Sequence, residues 1–403
     1  MKILTINCGS SSVKYSFIDP ASANVTAEGI CENIGEEQPL FTYKSDKLTF
    51  KKKKVNLPNH TEAVQLILKT LQEEENGCIK DIAEIDAVGH RLVHAGEHYN
   101  GTVIITDDVI RVMEECIPLA PLHNPANIIG VKAIRTLMPD TPQCGLFDTA
   151  FHQTMPMRAY LYPLPYRYYY EKKIRRYGFH GTSHKFVAQE AAGHLGKSLE
   201  ELKIITCHIG NGASITAIDG GRSVDTSMGF TPLEGLVMGT RCGDLDPAIP
   251  LYLQRHFKMS IAEVDKVLNK ESGILGLSEM ASDMRVIEDG LAAGNKDAIR
   301  AFEVYVYRIK KYIGAYAAAM NGLDVLVFTG GVGENMPPLR EEVCRNMEFF
   351  GIQFDSANNN RRTSDILELH QPDSHVKILK VTTNEELMIA RETEKLLKQN
   401  RFI

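Results

Sequence analysis

The sequence is short of several features that would settle its function quickly. It has no excess of basic charge: 403 residues carry a formal net charge of −6. That argues against a broad cationic surface for nucleic acid or an anionic membrane, while a local basic patch can still receive a small anion. No apolar run reaches the length of a membrane-spanning helix, and residues 1–6 read as a strand, not a signal peptide. The eight cysteines (8, 31, 78, 116, 144, 207, 242 and 344) include no CxxC pair. Neither a disulfide framework nor a zinc site is indicated, and reduced thiols in the cytoplasm are expected. A Walker A loop is missing as well. "GHLGKS" (193–198) has two residues between its glycines where that loop needs four, and it follows a helical stretch instead of a strand. Ser198-x-x-Glu201 reads there as a helix capping box. Nor is there an HExxH motif. His90, His94 and His98 recur every fourth residue, but "AVGHRLVHAGEHYN" carries β-branched residues and two glycines, which disfavour the helix that would align them on a metal.

What is present is an ordinary globular composition, 43% hydrophobic and 24% charged. The length predicts about two to three domains. The segment "LTINCGSSSVKYSFID" (4–19) reads as two strands around a Gly-Ser-Ser-Ser bend. A plain two-residue hairpin would favour Asn-Gly or Asp-Gly. Gly9 followed by Ser10, Ser11 and Ser12 instead offers open backbone N–H groups and small hydroxyls, which suit phosphate oxygens. In "VKYSFID", alternation puts Val13, Tyr15 and Phe17 on one face and Lys14 and Ser16 on the other, a half-buried strand. "TEAVQLILKTLQEE" (61–74) has helical spacing, with Gly77 as its stop. "AVGHRLVHAGE" (87–97) reads as a short strand entering a polar loop, and a domain boundary is expected around 141–156.

The second half restarts the first. "IITCHIGNGASITAIDGG" (204–221) is again strand, Gly turn and strand, ending in Ile-Asp as "FID" does at 17–19. The repeat predicts a duplicated domain with a cleft between its copies. A third Gly turn, "VLVFTGGVGEN" (325–335), follows an apolar strand, and "TNEELMIARETEKLLKQ" (383–399) reads as a capped amphipathic helix. Glycines let the backbone approach a phosphate closely, so three such turns after strands suggest a bound nucleotide. Arg91, Asp148, His180 and Arg241 all stand where apolar segments turn polar. Taken singly, each is an ordinary surface charge or turn cap.

As a set, the segments "INCGSSSVKY", "GHRLVHAGE", "LAPLHNP", "FDTAFHQTMP", "YGFHGTSH", "HIGNGASI", "GTRCGDLDP", "FTGGVGEN" and "TNEELMIA" resemble the acetate kinase family, in this order and from residue 6 to 390. One departure is Ala95, where the family usually has Gly. The resemblance implies an α/β fold of duplicated actin-like, sugar-kinase-like (ribonuclease H-like) domains around a central active-site cleft. It implies domains at 1–150 with a returning helix at 386–403, and at 151–385. It implies transfer of a phosphoryl group between ATP and acetate, giving ADP and acetyl phosphate, with Mg2+ or Mn2+ as cofactor, in a homodimer. By position it implies Asn7 and Glu385 near the metal, and Lys14, Ser10 and Ser12 near phosphates. Asp148, His180 and Arg241 become the catalytic centre, and Arg91 the holder of the carboxylate. His208, Ile209, Gly210, Asn211 and Gly212 become a phosphate loop. Asp283, Met284 and Arg285, with Gly331, Val332, Gly333, Glu334 and Asn335, become the adenosine contact. Val93, Leu122, Phe179 and Pro232 become a small apolar pocket for the methyl group. Two readings compete with this one: a propionate or butyrate kinase of the same family, and a non-catalytic nucleotide-binding module. The latter has no need of Arg91, Asp148, His180, Arg241 and Glu385 together.

Overall fold

The computed structural model describes residues 1–75, 77–361, 363 and 365–400. The chain divides into two compact units, 1–153 with 384–403, and 154–383. Residues 401–403, the last of the expected returning helix, lie outside the described residues.

The first unit holds strands β1 (Ile3–Cys8), β2 (Val13–Asp19), β3 (Asn24–Glu32), β4 (Leu40–Ser45), β5 (Thr49–Lys54), β6 (Ala87–Leu92), β7 (Val103–Ile104) and β8 (Gln143–Phe147). They form one sheet in the order β5-β4-β3-β2-β1-β6-β8-β7. β1 runs antiparallel to β2 and parallel to β6, and β6 parallel to β8. Alternation decides its two faces. Leu4, Ile6, Val13, Tyr15 and Phe17 join the helices His60–Leu71 and Asn124–Leu137 in one core. Burying each such side chain is worth roughly 1.5–3 kcal/mol.

The opposite face carries two polar rows. Ser16, Thr5 and Gly89 stand abreast in the first, and Lys14, Asn7 and Arg91 in the second. The helix Glu385–Gln399, capped by the Asn384 side chain, lies over this face. Gly89 is where it seats: a Cβ there would come within 2.7 Å of Ile389 and 2.8 Å of Thr393. This cover corrects the expectation of a half-buried β2. Ser16 is only 3% exposed, while Lys14, one turn of the pleat nearer the bend, stays open.

The second unit repeats the plan with β9 (Lys203–Ile209), β10 (Ala213–Asp219), β11 (Arg222–Thr226), β12 (Val325–Thr329), β13 (Leu367–Glu368) and β14 (Lys377–Lys380). Their order is β11-β10-β9-β12-β14-β13. Again a leading strand is antiparallel to the next and parallel to a later one, which is parallel to a third. So β9, β10, β12 and β14 take the places of β1, β2, β6 and β8. This is the duplicated α/β, actin-like and sugar-kinase-like fold. The helix Gly181–His194 packs on β9 and β12. Gly330, at φ +78°, lets the chain leave β12 against the Ile209 backbone, which a Cβ would meet at 2.8 Å.

Two local expectations are revised. The helix predicted over 61–74 is His60–Leu71 and ends well before Gly77, closed by Gln72. Ser198 starts a short 3-10 turn, and its hydroxyl bonds the Glu200 carboxylate, so the capping box with Glu201 does not form. His90 lies in β6 and bonds the Gln143 amide, while His94 Nδ1 accepts from the Gly96 backbone at 3.0 Å. Burial lowers the His90 pKa to about 4, so its ring is neutral. Among the described residues no three His, Cys, Asp or Glu side chains group as a metal site. No helix among them is long and apolar enough to cross a membrane.

Candidate active site

The charged row of the first unit is built around one ion pair. Arg91 Nε donates to Asp148 Oδ1 at 3.0 Å and Nη2 to Oδ2 at 2.8 Å. Asp148 sits just past β8, where its backbone N–H bonds Leu92 O at 2.8 Å, so adjacent parallel strands bring the pair together. Glu385 Oε2 lies 3.5 Å from Arg91 Nε, and Lys14 is paired with Glu386. The first two helical residues thus face the two cations of the row. Asp148 above all, then Glu385, hold the Arg91 guanidinium firmly charged. Burial pushes the Asp148 carboxyl above its ordinary range and Arg91 pulls against it. A doubly hydrogen-bonded guanidinium keeps that carboxylate paired. Asp148 occupies one edge of Arg91, and Nη1 makes no hydrogen bond among the described residues.

Asn7, between Lys14 and Arg91 in the row, makes no side-chain hydrogen bond among the described residues, and neither do the hydroxyls of Ser10 and Ser12. The bend itself is fixed through its backbone. Gly9 N–H bonds Ser12 O at 2.8 Å, Ile34 N–H bonds Ser11 O at 2.9 Å, and His60 Nε2 bonds Gly9 O at 2.7 Å. Its hydroxyls are left available for a ligand. Asn127 ties the bend to the next loop: its amide donates to Cys8 O at 2.9 Å and accepts from Val93 N–H at 3.0 Å. Val93 is 9% exposed and Leu122 71%.

In the second unit the equivalent row holds no carboxylate, lysine or arginine. Ser214, His208 and Thr329 stand abreast on β10, β9 and β12. His180 opens the helix Gly181–His194 from a left-handed conformation, φ 56°, and its ring stacks on His208 with centroids 4.4 Å apart. Ser214 Oγ bridges His180 Nδ1 at 2.9 Å and His184 Nε2 at 2.8 Å, and Thr206 Oγ1 lies 2.7 Å from His184 Nδ1. Ser183 Oγ bonds His208 Nδ1 and Thr383 Oγ1, each at 2.8 Å. The Gly210–Gly212 turn closes with Gly210 N–H on Gly212 O at 3.0 Å. The open side of Gly212 faces both Arg241 Nη1 and the His180 ring: a Cβ would meet them at 3.6 and 3.7 Å. Arg241 Nη1 donates to Pro232 O at 3.0 Å, and no carboxylate pairs with it among the described residues. Burial lowers its pKa, which makes this guanidinium eager for an anion. Phe179, next to His180, is buried, and Pro232 half-buried.

Two adjoining cavities, of about 330 and 400 Å³, lie beside this turn. Gly210, Asn211, Asp283, Met284 and Val332 line the first, with Gly239 and Ile274. Arg285, Gly331 and Asn335 join the second. Asp283 caps the helix Met284–Ala292 and pairs with Arg285 at 2.6 Å, which holds its carboxyl down near about 2. Glu334 Oε1 accepts from Gly330 N–H at 3.0 Å and Thr383 N–H at 3.2 Å, bracing its own turn.

Residues 2–391 match the Acetokinase family. The chain belongs to that family. An acetate kinase of Pseudothermotoga lettingae is 54% identical over 400 residues, which cover 99% of this chain and 98% of that protein. The crystal structure of Porphyromonas gingivalis acetate kinase superposes with a TM-score of 0.94 at 50% identity, over 98% of this chain and 99% of that one. A propionate kinase from Francisella tularensis follows at 0.89 and 39% identity, over 97% and 98% of the two chains. Family membership implies ATP or ADP and acetate or acetyl phosphate as substrates, and a divalent metal. The sequence reading had overlooked the supporting residues Asn127, Ser183, His184, Ser214 and Glu386. A signal existed for His184, four residues after His180 on a helix, and for Ser214, which the hairpin register sets opposite His208.

Proposed function

We propose that the chain catalyses reversible, Mg2+-dependent transfer of the γ-phosphoryl group of ATP to acetate, giving acetyl phosphate and ADP. The observation that carries this reading is family membership over residues 2–391, together with the paired Arg91–Asp148 and unpaired Arg241. A carboxylate is already nucleophilic at neutral pH, so the protein needs no strong base; its task is positioning and charge neutralisation. Arg91 binds the acetate carboxylate through its unused Nη1 end, oriented by Asp148. Arg241 binds charge on the transferring phosphoryl group. The hydroxyl of Ser214 donates to His180 Nδ1, which leaves Nε2–H to donate to a phosphoryl oxygen. Ser10, Ser12 and Lys14 meet phosphate oxygens, as does the turn from His208 through Ile209 to Gly212. The cavities lined by Asp283–Arg285 and Gly331–Asn335 take adenosine, so the second unit is the nucleotide-binding domain. Val93, Leu122, Phe179 and Pro232 limit the acyl chain.

The residues assigned to the metal fit a hard cation. Asn7 offers an uncommitted amide oxygen and Glu385 a carboxylate, oxygen donors too few for a complete cage, which is how Mg2+ binds when it keeps water and phosphate oxygens. The metal supplies charge neutralisation on the ATP phosphates; Mn2+ has similar ligand preferences. Propionate and butyrate are not favoured as physiological substrates, since the more similar relatives are acetate kinases. A homodimer accords with the apolar side chains that the second unit exposes, including Tyr166, Tyr170, Phe257 and Ile261. Eight free cysteines accord with the cytoplasm.

Incubation with ATP, Mg2+ and acetate, followed by hydroxylamine, tests the reading. Acetohydroxamate is expected in step with ADP. ADP release without hydroxamate, or neither product, would overturn it.

A further inference from the structure

The second unit contains a larger cavity, of about 870 Å³, that shares Arg285, Glu288 and Asn335 with the proposed adenosine cavity. Its walls are cationic. Arg340, Arg361 and Lys380 line it, with Arg285, whose charge Asp283 already answers, against two carboxylates, Glu288 and Glu334. Arg340 is 2% exposed and Lys380 4%, and neither forms an ion pair among the described residues. All four hydrogen bonds of Arg340 go to neutral acceptors: Asn359 Oδ1 and O, Gly333 O and Glu334 O. Lys380 Nζ donates to the Thr363 carbonyl and has two further protons to place. Glu334 does not answer them with Oε1, which faces the N–H groups of Gly330 and Thr383.

Glu334 and Asp365 lie near enough to act on Lys380 through space but form no ion pair with it, and a buried cation without a directly paired counter-charge is costly. The cost shows in both groups, whose pKa values burial lowers, that of Arg340 to about 10. The nucleotide as read above does not supply the missing charge: its phosphates belong at the Gly210–Gly212 turn and Arg241, and only neutral adenosine comes near Arg285 and Asn335.

We propose that this cavity is a second anion site, which takes a small phosphate-bearing ligand alongside the bound nucleotide. The shared wall makes the two sites neighbours, so any effect of one ligand on the other's affinity is reciprocal. The proposal rests on the adenosine assignment, and the test separates the two.

The probe is radiolabelled inorganic phosphate in equilibrium dialysis against full-length protein saturated with ADP, with ADP binding measured in parallel. One phosphate per chain is expected, retained in Arg241→Ala, which empties the catalytic centre of phosphate. Lys380→Met and Arg361→Gln should each weaken it about tenfold or more, the loss of one charge-assisted contact. Should Lys380→Met fail to fold, the exposed Arg361 carries the test alone. Phosphate binding that disappears in Arg241→Ala, is displaced by ADP one for one, or is unmoved in Arg361→Gln overturns the second site. Failure of ADP to bind, with phosphate binding intact and sensitive to Arg361→Gln, overturns the adenosine assignment instead.

Discussion

The two units run one topology with opposite electrostatics. In the first, the row Lys14–Asn7–Arg91 is charged and its helix answers with Glu386 and Glu385. In the second, the corresponding row Ser214–His208–Thr329 holds no carboxylate, lysine or arginine, and its helix answers with His180, Ser183 and His184. Ion pairs hold the first row and a hydroxyl–imidazole network the second. The difference matches the proposed ligands. A small carboxylate and a metal need fixed charges of both signs, whereas a polyphosphate loop needs donors aimed without competing carboxylates. The second unit keeps an unpaired cation, Arg241, beside Gly212.

The comparison can be broken most severely at Arg241. Arg241→Ala should lower kcat about 100-fold or more, the scale of losing one preorganised donor, while ADP affinity in dialysis changes little. A kcat within about threefold of wild type, under 1 kcal/mol of barrier, would remove its transition-state role.

Asp148→Asn attacks the charged row. It leaves Arg91 with Glu385 alone, and breaking a buried pair of this kind costs about 3–5 kcal/mol. The thermal midpoint should fall, and the KM for acetate should rise far more than that for ATP. Equal rises in both KM values would show that Asp148 serves the fold and not the orientation of Arg91.

Glu385→Ala sharpens the assignment within the same row. As a mere helix-terminal charge Glu385 is worth only about 0.3–1 kcal/mol. As a metal ligand its loss should raise the Mg2+ concentration for half-maximal rate about tenfold, since one unit of pKd is about 1.4 kcal/mol, with circular dichroism unchanged. An unchanged Mg2+ titration returns it to its structural role.

The smallest effect is expected at Val93. A hydrophobic pocket separates substrates differing by one methylene by only about 1–3 kcal/mol. Val93→Ala trims the wall without touching Arg91, so the KM for propionate should fall relative to that for acetate while kcat is largely kept. An unmoved preference would take Val93 out of the pocket.

The hairpins of both units were legible in the sequence because their information is local. A strand, a Gly turn and a strand of period two are encoded within about sixteen residues, at 4–19 and again at 204–221. The Asn384 cap and the helix after it were legible for the same reason. What escaped depends on segments far apart. Ser16 looked solvated because nothing near it announces that residues 385–399 will cover it. The Lys14–Glu386 pair spans the same distance. Ser198 is a local exception: it had the right spacing for a capping box, but Glu200, one residue nearer, took its hydroxyl. For the site, the resemblance named residues one by one. The hydrogen bonds that orient Arg91 and His180 come from strand register and helix phase, which no short motif displays.

The Glu385–Gln399 helix also sets a timetable. A ribosome adding roughly 5–20 residues per second needs about 15–60 s to travel from Arg91 to Glu385. Through that interval β1, β2 and β6 are already synthesised, yet their polar face has no cover and its cations no carboxylates from the helix. The first unit therefore cannot finish folding in the order it is made. A message truncated just before codon 385 yields a protein whose second unit is whole in sequence and whose first is missing the helix over its sheet together with Glu385 and Glu386.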